Sequence, residues 1–283
     1  MKDFWQTSQR KISYKSKTLV MGILNVTPDS FSDGGNFLSP DKAVAQAAQM
    51  IKDGADIIDI GGESTRPNSK KVEAAEEIQR VVRVIEEITR KFDFPVSIDT
   101  TKSEVASRAL EAGAEVINDI SGMKFDENIG KVAAKYQAGI VLMHLRGSFE
   151  TMHSQKIEAD IVSEVISSLR NNIKKAFDCG IKKENIALDV GFGFSKSFEQ
   201  NLELIAKINK ICEEFSGFPV LVGTSRKSFI GKILGGVPTE NRLNGSIAAT
   251  LVSVTYGAKI VRVHDVKETV EALKVFDEIK KFL

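Results

Sequence analysis

The sequence predicts a single-domain α/β protein folded as a closed (β/α)8 barrel, a TIM barrel, on three observations. Eight short apolar runs rich in Val and Ile recur along the 283 residues. Segments with helical periodicity lie between them. No linker, low-complexity tract or shift in composition divides the chain. Alternating strands and helices imply a parallel sheet covered by helices, and eight units in about 250 residues favour closure over an open doubly wound sheet.

The runs are TLVMGIL, ADIIDIGG, FPVSIDT, AEVINDI, AGIVLMH, NIALDVG, FPVLVGT and AKIVRVH. They begin near Thr18, Ala55, Phe94, Ala114, Ala138, Asn185, Phe218 and Ala258, and they are short, as strands buried on both faces are. Asp41 to Lys52 places Val44, Ala47, Ala48 and Ile51 on one helical face. Val72 to Arg90 does the same with Ile78, Val81, Val82, Ile85 and Ile88, and Lys156 to Phe177, Glu199 to Glu213 and Val266 to Phe282 repeat the pattern. Gly54, Gly113, Gly139, Gly180 and Gly217 are expected to stop helices in the left-handed conformation just before a strand. Asp41 suits the first turn of its helix. Residues 1–17 are expected to lead into the barrel and cap its lower end, with 18–283 forming the barrel itself.

Composition narrows the function classes. The chain is 42% hydrophobic and 27% charged, a globular balance. Lys and Arg number 39 against 38 Asp and Glu, so the net charge of +1 gives no bias toward nucleic acid or an anionic membrane. The apolar runs are far shorter than the ~20 residues that span a bilayer. The basic N-terminus lacks the apolar segment of a secretory signal. Cys179 and Cys212 are isolated thiols without metal-like spacing, which points to a reducing, cytoplasmic setting.

The strand ends carry the chemistry. Side chains two apart share a sheet face. Ile23 is therefore in phase with Asn25, Ser97 with Asp99, Val116 with Asn118, Ala187 with Asp189, and Ile260 with Arg262 and His264. One such polar residue can be a satisfied core group; five strands ending this way predict a polar pocket at the C-terminal mouth, where this fold builds its sites. Asp99, Asn118 and Asp189 could bind a flat heterocycle with several N–H donors and acceptors. Asn25, Arg262 and His264 suit a phosphate-bearing end, and an Asn carbonyl is a fair Mg2+ ligand. Arg262 equally suits a salt bridge at the mouth, and His264 a helix cap beside Asp265. GTSRKSFIG sets Lys227 and Ser228 at a helix start that is either anion-ready or simply capped. GESTRPNS puts Thr65 and Arg66 after a strand end, stiffened by Pro67. GFGFS is too short for a dinucleotide fingerprint, which excludes an NAD reading.

In order and spacing, GILNVTPDSFSDGG, DIGGESTRP, SIDT, INDISG, LMH, DVGFGF, VGTSRKSFIG, NGSIAAT and RVHDV resemble the dihydropteroate synthase family, in its bacterial stand-alone form. The likeness runs from about Leu19 to the C-terminus. It implies condensation of a 6-hydroxymethyl-dihydropterin diphosphate with p-aminobenzoate, giving 7,8-dihydropteroate and pyrophosphate, with Mg2+ required. It assigns the pterin to Asp99, Asn118, Asp189 and Lys227. The diphosphate falls to Asn25, Thr65, Arg262 and His264, with Asn25 the metal ligand. The p-aminobenzoate site falls to Phe31, Arg66, Pro67, Phe194, Lys227 and Ser228. The implied mechanism is dissociative: the ionised Asp99 and Asp189 stabilise the pterin cation, Lys227 is the further catalytic residue, and Asp33 accepts the developing charge of the amine. TPDSFSDGG would be a lid, with Phe31 its apolar finger and Gly34 and Gly35 letting it move. The likeness also implies a cytoplasmic homodimer packed through its last helices, and a sulfonamide target.

The chain departs from the family's commoner wording at Val190 and Ser195, where Pro and Gly are usual, at Asn68 for Gly, and at Phe149 for Pro. Asn68 and Ser195 border the inferred aniline pocket. A corrinoid-linked folate methyltransferase of the same barrel type is the nearest enzyme alternative; SRKS and ESTRP argue against it, because that chemistry has no diphosphate or p-aminobenzoate to hold. A pterin-binding paralogue without catalysis is the other alternative, opposed by Asn25, Lys227 and Arg262.

Overall fold

A computed structural model describes residues 3–27, 40–66, 69–152, 154 and 160–282. A short antiparallel hairpin, β1 (Phe4–Gln6) and β2 (Lys11–Ser13), precedes eight parallel strands. These are β3 (Leu19–Asn25), β4 (Ile57–Gly61), β5 (Val96–Asp99), β6 (Val116–Asp119), β7 (Gly139–Met143), β8 (Ile186–Asp189), β9 (Val220–Val222) and β10 (Ile260–Val263). They close into a barrel in sequence order, β10 pairing with β3. All eight coincide with the apolar runs of the sequence.

The helices are α1 (Pro40–Lys52), α2 (Ala74–Lys91), α3 (Ser103–Glu111), α4 (Ile129–Tyr136), α5 (Ile161–Asp178), α6 (Phe198–Ala206), α7 (Ile208–Glu214), α8 (Ser228–Ile233), α9 (Leu243–Thr255) and α10 (Val266–Lys280). Asp41 lies in the first turn of α1. The segment expected to be one helix over Glu199 to Glu213 is two, because Lys207 leaves helical dihedrals. Leu204, Ile208 and Ile211 stay fully buried across the break, so the apolar spacing does not reveal it. Helix α5 starts at Ile161, where the Asp160 side chain accepts from Val162 N–H.

Gly54, Gly113 and Gly180 have the expected left-handed φ. Gly139 and Gly217 do not: Gln137 takes that conformation at the end of α4, at φ 50°. Gly139 is instead needed for space, since a Cβ there would meet Val116 Cγ2 at 3.1 Å and Gln6 O at 3.3 Å.

Each strand sorts its residues by parity. Val20, Leu24, Ile58, Ile60, Ile98, Ile117, Leu142, Leu188 and Val261 face outward into the layer beneath the helices. Leu19, Met21, Ile57, Val116, Val141, Ala187, Leu221 and Ile260 face inward and fill the lower barrel together with Trp5 and Tyr14. Trp5 is completely buried and donates from Nε1 to Asn185 O at 2.9 Å. The Asn185 amide donates to Gln6 O at 3.2 Å and Gln137 O at 2.8 Å. Thr7 Oγ1 and Arg10 Nε bond the buried Glu115 carboxylate, which ties the hairpin to the foot of β6. The interior therefore has an apolar floor, and polar side chains appear only above it. Among the described residues no helix is long and apolar enough to cross a membrane.

Candidate active site

The polar ends predicted from strand phase do converge. Register places Asn25, Gly61, Asp99 and Asn118 side by side across β3, β4, β5 and β6. Gly61 leaves a gap in that row: a Cβ there would lie 3.7 Å from both Asn25 Oδ1 and Asp99 Oδ2. From β10, Arg262 reaches across, donating from Nε to Asp59 Oδ2 and from a terminal nitrogen to Asp99 Oδ2, each at 2.6 Å. Asn118 Nδ2 donates to the same Asp59 oxygen at 2.9 Å. Arg262 thus makes the salt bridge that its sequence left open, within the heterocycle-binding cluster rather than apart from it. Its other terminal nitrogen makes no bond within that cluster.

Burial pulls the Arg262 pKa down, but Asp59 and Asp99 outweigh it and hold the guanidinium above its usual value. Burial pushes the Asp99 carboxyl up against the pull of Arg262, with the Asp59 charge adding to the rise. Asp189 is likewise raised by burial, while the Gly191 N–H and Lys227 oppose the shift. Gly191 N donates to Asp189 Oδ1 at 2.7 Å.

Lys227 sits between two parts of the pocket. Its Nζ lies 4.3 Å from the centroid of the Phe194 ring, a cation–π distance, while Asp189 and Asp99 draw on its charge. Burial brings its pKa down to about 8. The preceding Arg226 is left-handed at φ 57°, a costly conformation for a residue with a Cβ. It is held by an ion pair with Asp265, by its own N–H on Ser246 Oγ at 2.9 Å, and by Arg242 on its carbonyl at 3.0 Å. Gly193, at φ 79°, lets the Lys227 stem pass; a Cβ would lie 3.1 Å from Lys227 Cδ.

His264 does not cap a helix with its ring: Nδ1 meets Ser225 Oγ at 3.0 Å, and that hydroxyl also accepts from the His264 backbone N–H at 3.2 Å. Donation from Ser225 to Nδ1 leaves Nε2–H as the outward donor. Burial, then Arg262 and Arg226, lower its pKa to about 3. His144 falls to about 2, chiefly by burial, with Lys196 adding. Both imidazoles are therefore expected to stay neutral from about pH 5 to about pH 8. Histidine-selective NMR on the parent and on His144→Gln and His264→Gln variants checks this; a titration midpoint inside that range for either ring contradicts it.

Other assigned residues stand further out. Ser228 is exposed in the first turn of α8, and Phe194 is buried beside Met143, Leu145 and Met152. Thr65 is half-buried and Arg66 exposed on the loop after β4, and among the described residues Arg66 forms no ion pair. Phe31, Asp33 and Pro67, with the lid glycines and Asn68, lie outside the described residues. Asp59, His144 and Lys196 are site or site-wall residues to which the strand-end pattern assigns no role. Asp59 was visible as a carboxylate in phase with Ile57 and Gly61 inside an otherwise apolar run.

The barrel and its mouth define a pterin-binding class. The family model described as "Pterin binding enzyme" matches residues 21–264. The dihydropteroate synthase of Bacillus subtilis is 47% identical over 273 residues, 96% of this chain and 92% of that protein. The Xanthomonas albilineans dihydropteroate synthase, solved with 4-aminobenzoic acid, superposes with a TM-score of 0.91 at 40% identity, covering 99% of both chains. The same enzyme in complex with 7,8-dihydropteroate gives 0.87 at 38% identity, covering 98% of both. The chain belongs to the pterin-binding enzymes and, among them, to the dihydropteroate synthase family.

Proposed function

We infer that the chain condenses 6-hydroxymethyl-7,8-dihydropterin diphosphate with p-aminobenzoate, giving 7,8-dihydropteroate and pyrophosphate in folate synthesis. The observation that carries this reading is the convergence of Asp99, Asn118, Asp189, Lys227 and Arg262 above an apolar floor, in a chain of this family.

In this reading the pterin lies against Asp99, Asn118 and Asp189. Asp189 keeps one oxygen for a ring N–H, since Gly191 engages the other. The bond between the pterin methylene and the diphosphate oxygen breaks, its electron pair leaving with pyrophosphate. The resulting delocalised cation is stabilised by the Asp99 and Asp189 carboxylates, which Arg262 and Lys227 help to keep ionised. The lone pair of the neutral aniline nitrogen then forms the C–N bond, and the nitrogen loses a proton. Arg262, through its remaining N–H groups, and the neutral His264, through Nε2–H, are placed to bind the leaving diphosphate. Phe194 forms a wall of the p-aminobenzoate pocket, where sulfonamides would compete.

Mg2+ is part of the reading. The Asn25 amide oxygen faces the gap at Gly61, near Asp99 Oδ2. Among the described residues no group of three or more His, Cys, Asp or Glu could hold a metal. A single neutral oxygen suits a cation that keeps waters and takes its other ligands from phosphate. When bound, Mg2+ would neutralise the leaving pyrophosphate. Chelating Mg2+ is expected to weaken binding of the pterin diphosphate far more than binding of the bare pterin, by calorimetry; equal effects would contradict the assignment to Asn25.

A homodimer is supported by the exposed apolar side chains of α9 and α10, where Val252 is 41%, Val275 63% and Ile279 55% exposed. The two free thiols suit a cytoplasmic enzyme. The test of function is pyrophosphate release on mixing the protein, both substrates and Mg2+, with 7,8-dihydropteroate as the product. Methyl transfer without pyrophosphate, or tight pterin binding without turnover, would replace the reading.

A further inference from the structure

The loop after β8 carries two polar side chains, the buried Ser195 and the half-buried Lys196, that the chemistry above does not use. Ser195 is left-handed at φ 50° and 1% exposed. Its Oγ lies 2.8 Å from Arg146 O and 2.9 Å from Met152 O, and it accepts from Arg146 N–H at 3.2 Å. Its own N–H donates to Met152 O at 2.7 Å. One side chain thus joins the loop after β8 to two points of the loop after β7. Lys196 turns inward. Its Nζ donates to Gly191 O at 2.8 Å and Phe194 O at 2.9 Å, and meets His144 Nδ1 at 2.9 Å.

An ammonium has three N–H groups, and here all three are used. The acceptors are two carbonyls and an imidazole, and among the described residues no carboxylate is in direct contact. Burying a charge without an ion pair is costly, and burial does lower the Lys196 pKa, to about 7. The surface alternatives open to a Lys would avoid that cost, so the bonds must hold something in place. What they hold lies on either side of Lys227. Gly191 presents its N–H to Asp189 and its carbonyl to Lys196. Phe194 presents its ring to Lys227 and its carbonyl to Lys196. The Phe194 ring itself packs on Met143, Leu145 and Met152, the last of these on the loop that Ser195 ties down.

We propose that Ser195 and Lys196 are positioning residues that lock the Phe194 wall of the p-aminobenzoate pocket, Ser195 from the neighbouring loop and Lys196 from beneath. The proposal rests on the function inferred above. Glycine would accept the φ of this position more readily than serine does. The serine's hydroxyl bonds offset its backbone strain.

The lock is tested by steady-state kinetics on Ser195→Ala and Lys196→Met, with pterin affinity measured separately by calorimetry. Ser195→Ala removes the hydroxyl bonds and leaves the backbone and Asp189 untouched. It is expected to raise KM for p-aminobenzoate by about fivefold, with kcat and pterin affinity within about twofold of the parent. Lys196→Met is expected to raise the same KM by about tenfold or more, because it frees the Phe194 carbonyl directly. Folded variants with the parent KM for p-aminobenzoate overturn the proposal. So does an equal loss of affinity for both substrates, which would mean general loosening. Should Lys196→Met fail to fold, Ser195→Ala decides alone. An inactive parent would overturn the function reading and the lock with it; an active parent with unchanged variants overturns the lock only.

Discussion

Arg262→Met is expected to destabilise the protein by about 3–5 kcal/mol and to remove turnover. Arg262 bridges Asp59, whose side chain is fully buried, and Asp99, whose side chain is 14% exposed. Methionine fills a similar volume but leaves two carboxylates in one low-dielectric place without a cation. The cost depends on pH with a definite sign. Burial already raises the Asp99 carboxyl, and without Arg262 nothing of comparable strength pulls it down, so the folded variant binds more protons than the unfolded chain. Its stability is then lost as pH rises from the ordinary carboxylate range toward the raised values. The deficit against the parent should be larger at pH 8 than at pH 5, on the order of 10 °C in melting temperature at the higher pH. Thermal unfolding of both proteins at the two values measures it. A deficit that is small and independent of pH would show that the bridge contributes little.

Lys227→Ala is expected to lower kcat/KM by about 10^3 without loss of stability at pH 7. Lys227 joins the two subsites, near Asp189 on one side and over Phe194 on the other. Its removal takes away a donor for the pterin and the cation beside the aniline ring. The lowered pKa, about 8, carries the stability argument. The folded site disfavours the charged amine that the unfolded chain holds easily, so deleting it costs the fold nothing. The parent should also lose activity above pH 8 as this amine deprotonates. Near-normal kinetics, or a variant that fails to fold, would refute this role. The contrast with Arg262 is informative, because one cation secures both fold and chemistry while the other serves chemistry against the preference of the fold.

Strand phase was legible because the side chains of each strand alternate between the barrel interior and the helix layer, so one inward residue fixes the rest of its run. That rule placed Asn25, Asp99, Asn118, Asp189 and Arg262 at one mouth. It says nothing about which polar ends bond each other. Arg262 is near β3 by register but spends its charge on β4 and β5, a choice made by side-chain length across the barrel interior. Asp59 escapes the strand-end rule because it is not the last inward residue of β4 but sits one layer deeper. The break at Lys207 left no trace, since the apolar stripe continues through it. Lys196 and His144 were hidden for another reason. A buried amine bonded to carbonyls has no sequence signature, because its partners are backbone atoms that every residue possesses. Gly217 and Gly139 misled because glycine near a helix end can answer a need for space instead of dihedral freedom.

The hairpin that plugs the foot of the barrel has a consequence for how such an enzyme tolerates change. Trp5, Thr7 and Arg10 tie the hairpin to Asn185 and Glu115 in a base at the apolar end of the barrel, out of reach of any substrate. Lesions there should alter how much active catalyst a cell maintains, not what the catalyst prefers. Variation at the rim can then be absorbed by reserves kept at the opposite pole, which frees the mouth to be remodelled under selection by inhibitors.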